Sequence, residues 1–357
     1  MKGKKIIFVV QYPENKIPSQ RFRIEVYKEI LVKEGFIITT KSFISENDFH
    51  IIFEHGSLFL KFWAVIKGFL NRLLLTFTVH KYDYIFLHRE ATPVGPPIFE
   101  WIYSKICRIK IIYDFDDAIW LPVVSKQNQL AAIFKNSSKV KQICKWAYKV
   151  SCGNQYLCDY AQKYNSNVVL NPTCVDTNKV HNILANHDVD RLTIGWTGSF
   201  STMLYLNLVE NALRRLQEKY DFDVKIISNQ IPSLDLKNIK YIKWTKENEI
   251  IELATCQIGI MPLDQDVWSE GKCGFKLIQY LALEIPSISS LVGVNKIIVE
   301  PGINGYFAES DDEWYYALEK LLLNTQLRKK MGKEGRKKIV SEYSVESNAD
   351  NFLNLFR

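Results

Sequence analysis

Short apolar, β-branched runs alternate with longer amphipathic stretches along almost the whole chain. This alternation predicts βαβ units built on parallel sheets. In the first half of the chain the predicted strands are 5–10, 36–40, 84–88, 109–113, 149–152 and 168–170. In the second half they are 192–196, 224–227, 241–243, 258–261 and 287–289. The pattern predicts an α/β fold with two doubly wound domains in tandem.

A polar stretch, 177–191, separates the two series, since it is rich in Asn, Asp and His and has no apolar periodicity. We therefore predict an N-terminal domain over 1–176, a linker over 177–191 and a C-terminal domain over 192–342. The last segment, 343–357, is predicted as a helix that returns to the N-terminal domain. A chain of 357 residues that is 47% hydrophobic has enough apolar material for two cores.

Charge is distributed unevenly between the two halves. The net charge is +9 over 1–176 and −2 over 177–357. A basic first half suits a phosphate-bearing partner, whether lipid, phosphorylated substrate or nucleic acid. Seven cysteines without any Cys-x-x-Cys pair, and an N-terminus without features of a secretory signal, indicate a reducing, cytoplasmic location.

The segment 270–286, EGKCGFKLIQYLALEIP, places a glycine-rich turn before a predicted helix. The amide groups and positive dipole end of such a helix favour a diphosphate, and Lys272 and Lys276 would add full charges. Gln279 lies three residues after Lys276, so one helical face is expected to present both side chains. Taken alone, the same pattern is also typical of an ordinary helix start.

Further motifs give the segment a family context. Together with 292–300, the turn PGINGY at 301–306 and the tail RKKMGKEGR at 328–336, it resembles the retaining glycosyltransferases of family 4, also called group 1. The resemblance is strong over about 190–345 and collinear before that. It implies the GT-B fold, two Rossmann-like domains facing across a cleft, and transfer of a hexosyl or related sugar from a nucleoside diphosphate sugar. It also implies that no metal and no further cofactor is needed.

The resemblance implies roles for individual residues. In the family, two glutamates separated by seven residues hold the donor's sugar and ribose; Glu270 lies near the first position, Gln279 replaces the second, and the spacing is one residue longer. Trp244 lies where the nucleobase is cradled. The donor-binding residues implied are Gly198, Ser199, Trp244, Gly271, Cys273, Gly274, Phe275, Leu277 and Gln279. The catalytic residues implied are Glu270, Lys272, Lys276, Asp116 and Asp117.

Polar residues also follow the predicted strands of the first domain, where ligands of doubly wound sheets bind. Asp116 or Asp117 is expected to accept a proton or to bind sugar hydroxyls. The residues expected to bind the acceptor are Arg21, Arg23, His88 and Arg89. A glycan or lipid-linked acceptor, such as a polysaccharide precursor, is expected, and no nucleic acid, because aromatic and basic residues do not interleave in a recognisable motif.

Two other functions are compatible with the sequence. Asp114 and Asp116 form an Asp-x-Asp pair, which in a metal-dependent GT-A-like transferase would hold a divalent ion. The second function is that of a catalytically silent GT-B scaffold in a glycan assembly complex. It is suggested by Gln279, which lacks the charge of a glutamate.

The segment 57–79 is apolar and aromatic but is interrupted by Lys61, Lys67 and Arg72. These charges argue against a membrane-spanning helix. The segment is compatible with an interfacial helix that contacts anionic lipid at the inner face of the cell membrane, and equally with a core helix.

Overall fold

A computed structural model describes residues 3–53, 57–121 and 138–357. The chain divides into two compact units. The first comprises Met1–Pro172 together with Ala349–Arg357, and the second comprises Thr173–Asn348.

The first unit is built on a parallel six-stranded sheet of order β2-β1-β3-β4-β5-β6. Its strands are β1 Lys5–Val10, β2 Ile37–Ser42, β3 Tyr84–His88, β4 Lys110–Phe115, β5 Lys149–Cys152 and β6 Val168–Leu170. The register pairs Phe8 with Thr40 on one side and with Phe86 on the other. The strands β1, β3 and β4 are almost wholly buried, as helices on both faces of a parallel sheet require.

The described helices of the first unit are α1 Pro18–Arg23, α2 Lys28–Lys33, α3 Glu46–Phe53, α4 Leu58–Thr76, α5 Ile98–Trp101, α6 Lys139–Trp146, α7 Gln155–Gln162 and, from the C-terminus, α16 Ala349–Leu353. A π-helical turn, Ile102–Ile106, continues α5, and short 3-10 turns cover Glu25–Tyr27, Val79–Lys81 and Asn354–Phe356.

The second unit has a parallel six-stranded sheet of order β12-β11-β10-β7-β8-β9. Its strands are β7 Leu192–Gly198, β8 Phe222–Ser228, β9 Ile239–Lys243, β10 Ile258–Met261, β11 Ser287–Ser289 and β12 Gly305–Phe307. Its helices are α8 Phe200–Met203, α9 Asn207–Lys219, α10 Glu249–Leu253, α11 Val267–Glu270, α12 Phe275–Ala282, α13 Asn295–Ile298, α14 Asp311–Leu323 and α15 Thr325–Glu342. A 3-10 turn, Leu204–Leu206, lies between α8 and α9.

All of the predicted strands are present, with bounds that differ by at most a few residues. The edge strand β12 was not predicted, because it has only three residues and follows a turn that dominates the local pattern. Gly305 begins it at a position with no room for a side chain, since a Cβ there would lie 2.2 Å from Ser287 O.

The predicted linker, 177–191, packs on the second unit. Arg336 donates hydrogen bonds to Thr177 O and His181 O, and Gln257 Nε2 donates to Asn186 O at 2.9 Å. Backbone carbonyl oxygens of the segment accept these bonds, so the segment is held against the second unit.

The C-terminal residues belong to the first unit, although 343–357 is not one continuous helix. Phe352 stacks on Tyr27 with ring centroids 4.0 Å apart, and Phe356 contacts the rings of Phe36, Tyr84 and Phe86. Phe352 and Phe356 are fully buried. The chain end therefore completes the core beside β1 and β3.

Replacing Phe352 with alanine removes a buried aromatic ring, so we expect the free energy of unfolding of the first unit to fall by about 3–5 kcal/mol. Denaturant titration with hydrogen exchange of β1 and β3 amides measures this loss. The control is Leu323→Ala, because Leu323 is 64% exposed, and the expected change there is within about 0.5 kcal/mol. Equal losses in the two variants would contradict this role of the C-terminus.

Candidate functional site

The start of α12 lies at the carboxyl-end edge of the second sheet, and glycine determines its geometry. Gly274 precedes the helix with φ of 67°, in the left-handed region, and its added Cβ would lie 2.2 Å from Ile298 Cδ1. The left-handed backbone conformation favours glycine at this position. Gly274 has no side chain to cap the helix, so the first turn is open to an external acceptor.

Lys272 and Lys276 lie near this helix start. Lys272 Nζ is 5.0 Å from the Trp268 ring centroid, and Lys276 Nζ is 5.2 Å from that of Trp196. Burial of its amino group, followed by the charge of Lys272, lowers the pKa of Lys276 to about 7. Within the described part of the chain, no carboxylate forms an ion pair with Lys276. The amino group of Lys276 is therefore not neutralised by a carboxylate of the described residues.

Gly198, at the end of β7, makes room for Lys276. A Cβ on Gly198 would lie 2.7 Å from the Trp196 ring and 2.9 Å from Lys276 Cε. The predicted residues Gly198, Lys272, Gly274 and Lys276 are thus brought into one region. Trp196 was not predicted as a site residue, because an aromatic residue inside a predicted strand indicates a core position. In the structure, Trp196 is only 1% exposed.

Glu270 ends α11 and is partly exposed. Its Oε1 lies 3.8 Å from Lys296 Nζ. Both residues line an open pocket of about 330 Å³, together with Gln265, Asp266, Val267, Leu291 and Val292. Lys296 was not predicted as a site residue. The carboxylate can accept hydrogen bonds from hydroxyls, and the ammonium group can donate hydrogen bonds to them.

Two donor-binding predictions require correction. Leu277 and Gln279 are both fully buried. Gln279 Nε2 donates to Glu249 Oε1 at 3.0 Å, so this amide fixes α10 against α12. The second turn of α12 is therefore buried within the second unit.

Tyr280 anchors α12 to the sheet. Its hydroxyl accepts the Thr197 N–H at 3.1 Å and donates to Ile260 O at 3.3 Å. These two bonds fix the helix start relative to the ends of β7 and β10. The remaining predicted donor residues differ in exposure: Ser199 is exposed at the start of α8, Trp244 and Phe275 are partly buried, and Gly271 and Cys273 are buried.

In the first unit, the predicted acceptor-binding arginines are largely buried. Arg23 is 1% exposed and forms a bidentate ion pair with Asp114, with Nε 3.2 Å from Oδ2. Arg21 is 6% exposed, and its guanidinium lies 4.9 Å from the Phe22 ring centroid. Arg23 is therefore not available for an acceptor phosphate, because its charge already neutralises a buried carboxylate.

His88 lies between Asp114 and Ser19. Its Nδ1 is 2.9 Å from Asp114 Oδ2 and its Nε2 is 2.9 Å from Ser19 Oγ. The imidazole is only 4% exposed, whereas Ser19 is partly exposed. Direct contact of His88 with an acceptor, as predicted, is not available to so buried a ring.

Arg89 has φ of 62°, which a non-glycine residue rarely adopts. This conformation directs its guanidinium to Asp116, whose Oδ1 accepts from Nε at 3.0 Å and from the terminal nitrogen at 2.8 Å. Burial would raise the pKa of Asp116, but Arg89 and His88 hold it well below its usual range. Asp117 is partly exposed and accepts the Ala118 N–H.

The Asp-x-Asp metal hypothesis is wrong for this fold. Asp114 is fully buried and already accepts from Arg23, His88 and Ser151, so it has no free oxygen to offer an ion. Across the described ranges, no group of His, Cys, Asp and Glu side chains has the arrangement of a metal site.

The depressed pKa of Lys276 predicts a stability effect. Between about pH 7 and the ordinary lysine pKa the unfolded chain binds more protons than the folded one, so stability rises with pH in this window. We expect Lys276→Met to remove this rise and to increase the Tm of the ligand-free protein at pH 7, by about 2–4 °C per kcal/mol recovered. Differential scanning calorimetry across pH 6–10 measures both effects. A lower Tm for Lys276→Met at pH 7 would contradict the desolvated charge.

Residues 186–338 match the family model described as Glycosyl transferases group 1. A search of curated proteins gives no match. Among solved structures, sucrose-phosphate synthase from Thermosynechococcus elongatus aligns with a TM-score of 0.72 at 12% identity, covering 99% of this chain and 98% of the other. Anabaena HepE in complex with UDP-glucose gives 0.69 at 13% identity, covering 98% of each chain. A glycosyltransferase from Rickettsia africae gives 0.67 at 14% identity, covering 99% and 98%.

These similarities extend over the whole chain, and the two parallel six-stranded sheets agree with them. The fold predicted from the sequence is confirmed. The matched family segment lies inside the second unit, which carries Gly274 and the two lysines. The family match thus covers part of the second unit, and the structural similarities show the GT-B fold for the whole chain.

Proposed function

We propose that the protein is a retaining, metal-independent glycosyltransferase that transfers a sugar from a nucleoside diphosphate to a hydroxyl acceptor. The second unit holds the donor and the first unit holds the acceptor. The observation that carries the proposal is the desolvated amino group of Lys276, which forms no ion pair with a carboxylate of the described residues, beside Lys272 and the open start of α12. Retention is supported by the family resemblance of the sequence.

The leaving diphosphate gains negative charge as the glycosidic bond breaks. Lys272, Lys276, the backbone at Gly198 and Ser199 and the first turn of α12 supply the opposing charge and amide dipoles. Donors fixed before the reaction stabilise such a charge without reorganising, and they are worth most where water is excluded. A partly buried lysine without a carboxylate partner among the described residues fits this role, because a diphosphate supplies a counter-charge.

The pocket beside Glu270 and Lys296 is assigned to the sugar. Glu270 accepts hydrogen bonds from sugar hydroxyls, and Lys296 donates to them. Trp244, partly buried after β9, is assigned to the nucleobase, on which an aromatic ring stacks. HepE was solved with UDP-glucose, so UDP-glucose is the first donor to test.

The catalytically silent scaffold remains the alternative, although its basis in the sequence is now weaker. The scaffold hypothesis was based on Gln279 in place of a glutamate. In the structure this amide is buried and donates a hydrogen bond to Glu249, so it contributes to packing. Release of UDP from a UDP-sugar by the purified chain would exclude a silent protein.

We expect Lys272→Ala and Lys276→Ala to lower the turnover of UDP release by about 100-fold or more, because each removes a charge from the leaving group. Turnover should fall more than the affinity for UDP does. Enzyme-coupled detection of UDP, with UDP affinity from thermal shift, measures both quantities. The matched control is Lys333→Ala, an exposed lysine of the same unit. Full turnover in both site variants would overturn the assignment of the donor site.

The acceptor is assigned to the lipid-linked precursors, and α4 is the surface that brings the protein to them. Its buried positions, Ala64, Gly68, Arg72 and Leu75, recur at helical spacing and pack on the first unit. The other face exposes large apolar side chains at Leu58, Phe59, Leu60, Phe62, Trp63, Leu70, Leu73 and Leu74. The helix is thus partly a core element and partly an apolar surface.

The charges on α4 have different roles. Arg72 is buried and donates to the carbonyl oxygens of Ala91, Lys41 and Val10, so it does not face lipid headgroups as expected. Lys67 pairs with Asp48 at 3.2 Å. Lys61 is partly exposed. Within residues 3–53, 57–121 and 138–357, no helix has the length and hydropathy of a bilayer span.

An apolar, aromatic face on a basic unit fits the interface of an anionic bilayer. We expect the chain to co-sediment with vesicles rich in phosphatidylglycerol more than with phosphatidylcholine vesicles. Phe62→Gln and Trp63→Gln should each weaken binding by about tenfold, since each loses about 1.5–3 kcal/mol of apolar burial. Leu323→Gln, exposed on the second unit, is the control. Vesicle binding that does not depend on lipid charge and is unchanged in both aromatic variants would contradict this role.

A further inference from the structure

The tail motif RKKMGKEGR, 328–336, lies on α15 and packs against the C-terminal end of α12, opposite to the helix start described above. Two glycines of the motif permit this close approach. A Cβ on Gly332 would overlap the carbonyl group of Glu284, and a Cβ on Gly335 would lie 2.6 Å from Leu281 Cδ2. The backbone of α15 therefore lies directly against the end of α12.

The carbonyl groups at the C-terminal end of α12 have hydrogen-bond donors outside the helix. An α-helix cannot satisfy the carbonyl groups of its own last turn. Three donors satisfy them here, namely Arg336 to Ala282 O, the N–H of Ala185 to Leu283 O at 2.9 Å, and His187 Nε2 to Glu284 O at 3.0 Å. Because a carbonyl group only accepts, Nε2 of His187 carries a hydrogen. The segment 177–191 and α15 thus cap the same helix end.

Arg336 connects these parts of the second unit. Besides its bond to Ala282 O, its Nη1 donates to His181 O at 3.0 Å and its Nη2 donates to Thr177 O at 3.2 Å. A guanidinium presents several donors in one plane, so it can hold carbonyl groups of two segments at once. Its positive charge also suits the negative end of the helix dipole. Arg336 therefore fixes both 177–191 and the end of α12 to α15.

The two ends of α12 are close enough to move together. The helix, Phe275–Ala282, has eight residues and is about 12 Å long. Its side chains from Leu277 to Ala282 are buried, and closely packed elements shift as units because their packing is not continuously deformable. Lys276 lies in the first turn, directly after Gly274. The caps at one end of α12 therefore set the position of Lys276 and of the amide groups at the other end.

We propose that Arg336 is a positioning residue for the donor, because it holds the last turn of α12 and thereby keeps the helix start and Lys276 in place for the diphosphate. The inference rests on the proposed function. Arg336 binds the far end of the helix, so its effect on the diphosphate is indirect. Coupling between two sites is reciprocal, so a bound diphosphate should in turn stabilise the contacts between α12 and 177–191.

The first test measures UDP release from UDP-glucose and UDP affinity in the full chain. Groups that are misplaced by about 1 Å can lose about 100-fold in rate, so we expect Arg336→Ala to lower kcat by about tenfold or more. The Kd of UDP should rise by about fivefold or more. Arg336→Lys keeps the charge but not the planar fork, and should recover part of both losses. Lys337→Ala, an exposed lysine beside Arg336 on α15, is the matched control and should change neither quantity.

A second variant removes another cap of the same helix end. His187→Ala leaves Arg336 in place but removes the bond to Glu284 O, so we expect a rise in the Kd of UDP and a fall in kcat in the same direction. This variant keeps the test decisive if Arg336→Ala does not fold. A lower Tm with unchanged kcat and unchanged Kd in both variants would show a structural role only and would overturn the inference.

Hydrogen exchange tests the reciprocal effect without any turnover. We expect UDP to slow exchange of the Ala185 amide, which donates to Leu283 O, by about fivefold or more in the unaltered chain. In Arg336→Ala this slowing should be smaller. The Lys237 amide, bonded to Gln217 Oε1 at 2.8 Å, is the control and should not respond. No slowing at Ala185, or equal slowing at both amides, would overturn the coupling through α12.

The outcomes separate this inference from the donor site itself. Full turnover and UDP affinity in Arg336→Ala and His187→Ala, with a loss in Lys276→Ala, overturn the positioning role and leave the donor site standing. Full turnover in Lys276→Ala, with a loss in Arg336→Ala, overturns the donor assignment and with it the route from Arg336 to Lys276.

Discussion

The account of the second unit follows from one constraint: the desolvated amino group of Lys276 forms no ion pair with a carboxylate in the described part of the chain. Desolvation of Lys276 and repulsion by Lys272 both oppose its protonation. Gly198 and Gly274 keep side chains out of the surrounding space, and Tyr280 fixes the helix that bears the lysine. Such a site costs stability in the free protein, which is typical of a region arranged for a ligand. An anion with several oxygens would supply negative charge and hydrogen-bond acceptors beside Lys276.

In the first unit, by contrast, buried charged side chains form ion pairs with one another. Arg23 pairs with Asp114, Arg89 with Asp116, and the fully buried Lys139 lies 3.1 Å from Glu90. Buried pairs of this kind contribute little net stability, but they hold their members in fixed positions. The network therefore sets His88 and Ser19 in place before any ligand binds. In the described residues, the second unit thus leaves Lys276 without a carboxylate partner, whereas the first unit pairs its buried charges.

The strands could be predicted because β-branched runs on a sheet covered by helices remain apolar throughout. The start of α12 was also predictable, since glycine and lysine before an apolar helix have a direct physical meaning. The roles of Leu277 and Gln279 could not be predicted, because helical spacing gives the face of a residue but not how deep that turn lies. The pairing of Arg23 with Asp114 joins positions 91 residues apart, a contact that no local pattern indicates.

Proton uptake on binding of UDP tests the central claim most directly. At pH 8 a lysine with a pKa of about 7 is mostly neutral, and a diphosphate beside it restores the charged form. Calorimetric titrations in buffers of different ionisation enthalpy should show uptake of up to about one proton per UDP bound. Lys276→Arg, which stays charged at this pH, should bind UDP without uptake. Binding by the unaltered chain with no proton uptake would contradict the account.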